Sequence, residues 1–260
     1  MYRFAFRGRW LVGHLVVLAV AALFVRLGFW QLDRLDEVRT RNALVESRRE
    51  LPTAPLDGLL NPGERARASV FHRRVTVTGV YDVEREVTVR FRSLNGQPGG
   101  YLLTPLVQED GAAVLVNRGW VPSLDGASES HPEATPPSGT IRVTGSLLPG
   151  EERTGLGAAD PETGVLAAIN RIDVDRLRRQ LPYEVYAAYV QLEAQQPGQP
   201  RDLPVPLHEG DLSDGPHLSY AIQWFLFAAI GLVGWPLLIR RSARGGAHRR
   251  WEPSRFDRAT

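Results

Sequence analysis

The chain contains no cysteine and no lysine. Without cysteine, disulfides, thiolate metal sites and a cysteine nucleophile are excluded, and an exported domain must rest on its own core. The missing lysine leaves all 31 basic residues as arginine, which fits GC-rich coding DNA better than a mechanism. No Walker loop, dinucleotide fingerprint, GxSxG or HExxH is present. His72, His131, His208 and His217 show no paired metal spacing, and no two acidic residues are identifiable as a general acid and base. His131 falls in a loop expected to be mobile, and His208, in HEGD, reads as a solvated residue. These absences argue against an enzyme. No nucleic-acid-binding module accompanies the arginines, so nucleic acid is not an expected partner.

Apolar residues are concentrated at the two ends of the 260-residue chain. WLVGHLVVLAVAALFV (10–25) continues through RLGFWQL, and Tyr220 to Ile239 carries no charge. A helix rises about 1.5 Å per residue, so roughly 20 residues cross a hydrocarbon core about 30 Å thick. Both stretches suffice if Arg26 snorkels to an interface, and Trp10, Trp30 and Trp224 stand where interfacial aromatics belong. Ala19-Val20-Ala21 resembles a signal-peptide cleavage site, but apolar character persists through Leu27, Phe29 and Trp30, which favours a retained anchor. Arg3, Arg7 and Arg9 precede the first span, and Arg240, Arg241 and Arg244 follow the second. Both termini are therefore expected in the cytoplasm. The last 21 residues hold seven arginines against two acids, either a topology signal alone or a contact with anionic lipid headgroups of the bilayer.

The expected organisation is a cytoplasmic N-terminus (1–9), a first membrane helix (10–32), an exterior domain (33–216), a second membrane helix (217–239) and a basic cytoplasmic tail (240–260). The exterior segment reads as α+β with an antiparallel sheet. Runs at 75–81, 86–91, 101–107, 112–121, 140–148 and 184–192 are short and β-branched, with Gly and polar clusters between them. Asp110-Gly111 is a hairpin signal. Val174, Leu177 and Leu181 repeat at helical spacing, predicting a helix over 173–181 that Pro182 stops. The Pro/Ser/Gly-rich stretch between Val121 and Thr140 reads as a mobile loop, and 195–206 as a Pro-rich connector.

His217 stands at the mouth of the second span. With Pro216 starting that helix, His217, Tyr220, Ala221, Trp224 and Ala228 share one face. Small residues beside an imidazole and two large rings could form a bay for a flat apolar ligand such as a porphyrin, the imidazole serving its iron. From spacing alone, an interfacial cap with an aromatic belt is the simpler reading. His14 cannot join His217 on one iron. About 17 residues, or roughly 25 Å of helix, separate His14 from Gln31, so His14 reads as a polar contact between spans.

LGFWQLDR (27–34), GVYD (79–82), GGYLLTPL (99–106), VLVNRGWVP (114–122) and HLSYAIQWF (217–225) together resemble the Surfeit-locus family of cytochrome c oxidase assembly factors, over roughly residues 20–240. The resemblance implies a non-enzymatic chaperone of the respiratory chain. It also implies two transmembrane helices flanking a domain outside the bacterial plasma membrane. Bacterial members are thought to bind haem a transiently and assist its insertion into subunit I. The implied partners are subunit I with other oxidase subunits or assembly factors. The motif's histidine falls on His217, the implied ligand of haem iron, and its tyrosine on Tyr220; Trp224 lines the same face. Gly119-Trp120 matches a family pairing read as structural. Two departures stand out: LDEVRT follows Arg34 where members often have Trp-Lys, and Asp214-Gly215-Pro216 replaces a common Arg-Asn. The alternative is a structural oxidase-associated scaffold that binds no haem.

Overall fold

The structure is a computed structural model describing residues 6–123, 131–152, 159–207 and 212–245. The architecture is α+β, with a mixed sheet and a long helix at each end. It divides into a helical unit, Met1–Ala43 with Leu212–Thr260, and a β unit, Leu44–Asp211.

Helix α1 runs Gly8–Arg49, 42 residues. At 1.5 Å per residue it is about 63 Å long, twice the thickness a span needs. The span expected at 10–32 is thus the first half of a longer helix. Its continuation, DRLDEVRTRNALVESRR, is charged and shows no uninterrupted apolar run. Even so, Leu35, Val38 and Val45 are buried, seven or three residues apart. That 3.5-residue period extends the stripe of Ala21, Phe24, Gly28 and Gln31. Helix α3, His217–Gly245, is the second helix long and apolar enough to cross a membrane. Its least exposed residues, His217, Ala221, Trp224, Ala228, Gly231 and Trp235, keep the same period. The two stripes meet. A Cβ at Gly28 would lie 2.6 Å from the Phe225 ring, and one at Gly13 would lie 2.6 Å from Trp235. Glycine at these two positions is what lets the helices close.

The β unit contains β1 (Ala54–Pro55), β2 (Arg74–Tyr81), β3 (Val87–Leu94), β4 (Gln97–Val107), β5 (Ala113–Pro122), β6 (Thr140–Leu148), β7 (Ala168–Ile169) and β8 (Val185–Gln196). The strand order is β1-β2-β6-β8-β5-β4-β3-β7, and β2 also pairs with β4 through Val80↔Val107 and Tyr81↔Leu106. That last ladder closes β2, β6, β8, β5 and β4 into a five-stranded ring. The ring needs a close approach at Gly79, where a Cβ would lie 2.8 Å from the Val107 carbonyl carbon. Most ladders are antiparallel, as expected, but β5 runs parallel to β8, and the two-residue strands β1 and β7 add parallel pairs at the edges.

Alternation along β5 sends Val114 and Val116 into the ring's interior and Leu115 to the opposite face. Val75, Val77, Ile141, Val143, Ala188 and Val190 complete the interior. On the outer face, Val87, Val89, Leu103 and Tyr189 pack with α2 (Val174–Arg178). Asp173 caps α2, its carboxylate accepting from the Arg176 N–H at 2.8 Å. The helix is five residues long, shorter than the expected 173–181, because Pro182 disfavours the α region for Leu181. Leu181 still packs on the same cluster. The Asp110-Gly111 hairpin forms: Gly111 takes φ +86° and the Asp110 side chain accepts from the Ala112 N–H at 2.9 Å.

Of the loop expected between Val121 and Thr140, residues 124–130 lie outside the described residues. The remainder packs against the β unit through Ala134, which clusters with Leu102 and Val121. Pro132–Ala134 makes a 3₁₀ turn, Ala134 is buried, and the His131 side chain is only 7% exposed beside Glu133. His208 also lies outside the described residues.

Candidate functional site

The residues marked in the sequence fall into two groups, one in each unit. In the helical unit, His217 opens α3 and is half-buried. Its Nδ1 lies 2.9 Å from Oε1 of Gln31, which is about six turns into α1's apolar stretch and 9% exposed. The turn leading into α3 is tied to α1 as well. Arg39 Nε pairs with Asp214 at 2.8 Å, and the Asn42 amide donates to the Ser213 carbonyl at 3.3 Å. Gly215, at φ +69°, makes the bend.

The shared face read from the sequence is divided. Ala221 and Ala228 are 1% and 3% exposed, so the room beside them is filled by α1 and is not an open bay. Trp224 is half-buried, its ring 5.5 Å from Phe24 and 6.0 Å from Phe227. Tyr220 turns onto the shoulder of the pair, 47% exposed, one helical turn from His217. The structure therefore keeps His217 and Tyr220 as neighbours on α3 and places Trp224 inside an aromatic cluster. Gln31 escaped the sequence reading. The available signal was its position, an uncharged polar residue in an otherwise apolar or small stripe at heptad spacing.

His14 sits toward the other end of the pair. Trp235 Nε1 donates to its Nδ1 at 2.7 Å, and the two rings meet edge to face at 5.6 Å. It is a polar contact between the helices, as the sequence indicated. Arg34 is engaged by Glu37 at 2.6 Å on the exposed side of α1, and Arg26 is exposed.

The second group is built on the β5 motif Asn117-Arg118-Gly119-Trp120. A bulge in β5 opposite Leu102 and Leu103 of β4 leaves Arg118 without a partner in that ladder and switches the facing of the residues after it. Arg118 is 1% exposed. Its guanidinium pairs with Glu86 at 2.8 Å, donates to the Ala134 carbonyl and to Gln199 at 3.2 Å, and stands 5.4 Å from the Tyr81 ring. A charge this deep survives only with such partners. Thr104 donates to the same Glu86 carboxylate, and burial pushes the Tyr81 phenol above its ordinary value. Trp120 exchanges both backbone hydrogen bonds with Val205, each 2.8 Å. Val205 of the connector thus forms a single antiparallel bridge to the motif. This group is a structural clamp.

Among the described residues no cluster of three or more histidines and acids could hold a metal ion. The His217 imidazole is held through one ring nitrogen, Nδ1.

Comparison with known proteins covers both groups of residues. The model of the SURF1 family matches residues 18–229, taking in Gln31, the β5 motif and His217. An uncharacterized SURF1-like protein of Mycobacterium bovis is 31% identical over 246 residues, covering 89% of this chain and 83% of its own length. SURF1-like proteins of Monosiga brevicollis and Rickettsia bellii are each 27% identical, covering 92% and 89% of this chain and 92% of their own lengths. With its sheet, parts of both terminal helices and most of its length inside that match, the chain belongs to the SURF1 family.

Proposed function

We propose that this chain is a membrane-anchored, non-enzymatic assembly factor for haem-copper cytochrome c oxidase, holding haem a through His217 on its way to subunit I. The observation that carries the reading is the His217 ring, fixed at the end of a closed helix pair through a hydrogen bond at Nδ1. The donor chemistry fits the group, since a neutral imidazole is a good axial ligand for haem iron. When bound, haem a supplies an iron needing an axial ligand and an apolar ring needing shelter from water. The exposed ring of Tyr220 lies beside His217 to offer that shelter, and Trp224 stiffens the helix behind it. Arg34 is committed to Glu37, so it is a poor partner for a propionate.

The closed seam at Ala221 and Ala228 favours a second reading, a scaffold that grips oxidase subunits or assembly factors and binds no haem. A visible spectrum of the full chain, purified in detergent from cells rich in haem a, separates the two. Haem a bands copurifying with the protein are expected. A repeatedly haem-free preparation would leave only the scaffold.

The proposed location is the bacterial plasma membrane, with both termini cytoplasmic and the β unit outside, on the strength of the arginine bias. Reporter fusions at Thr135 and after Arg244 should report opposite sides. Two fusions on the same side would refute that topology.

A further inference from the structure

We infer that Gln31 is the positioning residue of the His217 site: its side-chain carbonyl fixes the imidazole as the Nδ1–H tautomer and presents Nε2 as the ligating atom. The effect on haem rests on the reading above, whereas the tautomer does not. Gln31 Oε1 lies 2.9 Å from His217 Nδ1, and an amide oxygen only accepts hydrogen bonds. With the amide oxygen as acceptor, the assignment puts the proton on Nδ1 and leaves the lone pair of the neutral ring on Nε2.

Three further features point the same way. Gln31 is nine-tenths buried in a stripe otherwise made of Ala21, Phe24, Gly28 and Leu35, where an apolar residue would pack at lower cost. A polar residue at a seam position sets the register of two helices, and here the register brings residue 31 to residue 217. Gly215 stands at the opposite edge of the ring, where an added Cβ would come into ordinary van der Waals contact. A Cβ there would lie 3.4 Å from His217 Cδ2 and 3.6 Å from Nε2. Gly215 is itself pinned: its N–H donates to Ser213 Oγ at 3.1 Å, and Ser213 and Asp214 are held by Asn42 and Arg39. The ring is thus gripped at Nδ1 by Gln31, with the pinned Gly215 turn along its Nε2 edge.

A ligating histidine whose other N–H meets an acceptor is a stronger donor to its metal, and losing that acceptor typically costs about 10–100-fold in affinity. Two variants of the full-length protein separate geometry from haem. Gln31→Leu removes the acceptor at similar volume, and Gln31→Glu keeps it and adds charge. Nitrogen NMR on haem-free, detergent-solubilised protein reads the tautomer directly, with the His217 signal identified by its loss in His217→Ala. At a pH where the imidazole is neutral, wild type should show Nδ1–H, Gln31→Glu the same, and Gln31→Leu a shift to Nε2–H. An Nε2–H wild type, or a pattern unmoved by Gln31→Leu, would overturn the assignment. In haem titrations Gln31→Leu should bind about 10–100-fold more weakly with unchanged helix content. Gln31→Glu should retain haem with a lower midpoint potential and a shifted absorption maximum, a change no purely structural role produces. If wild type takes no haem while the tautomer pattern holds, the haem reading fails and the positioning of the ring stands. If wild type binds haem and both variants match it in affinity and potential, the positioning role fails alone. Should Gln31→Leu not fold, the tautomer and potential of Gln31→Glu still decide.

Discussion

His217→Ala should lower the haem a that copurifies with the protein at least about tenfold, without lowering the amount of protein in the membrane. Tenfold corresponds to about 1.4 kcal/mol, a small part of what an axial bond to iron contributes. The side chain is half-buried at the first turn of α3, so its loss removes little packing. It does leave the Gln31 carbonyl without its partner, at a cost of about 1–3 kcal/mol. The seam made by Ala221, Trp224, Ala228 and their α1 neighbours stays intact and holds the helices together. Free imidazole should restore both the axial-ligand spectrum and part of the lost haem, because the substitution opens a space of that shape. In cells, oxidase subunits should still accumulate in part, with less haem a per subunit I. Haem content unchanged by the substitution, in a preparation that carries haem, would remove His217 as the ligand.

The division between what was legible and what was not follows from the range of the interactions. Strands β2 to β6 and β8 were visible because period-two alternation and β-branched runs are local. Closure into a ring was not. It depends on two residue pairs between β2 and β4 and on a missing Cβ at Gly79, none of which leaves a trace in either strand's own pattern. The parallel partnership of β5 and β8 was hidden for the same reason: both strands are buried on two faces and read alike in either direction.

The helical unit shows a similar limit. His217, Tyr220, Ala221, Trp224 and Ala228 were grouped on one face by helical spacing; the structure turns Tyr220 away from the seam, and spacing cannot tell a bay from a seam. Only the opposing positions on α1, Ala21 and Gly28 among them, show that the small residues serve close approach. The same partner helix supplies Gln31. Its meeting with His217, 186 residues away in sequence, depends on the register of two helices. The second half of α1 was obscured by its charges, although Leu35, Val38 and Val45 carry the seven-residue repeat past the membrane length.

Gly119→Ala should be the most damaging single-methyl change in the β unit, and a paired control shows why. Gly119 adopts φ +136°, a region that side chains other than glycine's rarely enter, and the strain costs about 1–2 kcal/mol. Its added Cβ would also press into the Val205 carbonyl, 2.9 Å from the carbon and closer still to the oxygen. That obstacle is backbone and cannot rotate away, so overpacking adds about 1–3 kcal/mol. The sum approaches the low end of a domain's total stability, about 5 kcal/mol. Relief would come from pushing Val205 off, which breaks both hydrogen bonds to Trp120 and frees the connector from the barrel. Gly139 has a positive φ too, +85°, but nothing lies within 4 Å of its Cβ position. Gly139→Ala should therefore cost only the backbone strain. Thermal melts of the two variants should separate clearly, with Gly119→Ala the lower. Limited proteolysis should cut Gly119→Ala within 197–206, where wild type and Gly139→Ala resist. Equal melting temperatures would mean that Val205 yields at little cost, and that the Trp120 bridge is not what holds the connector to the barrel.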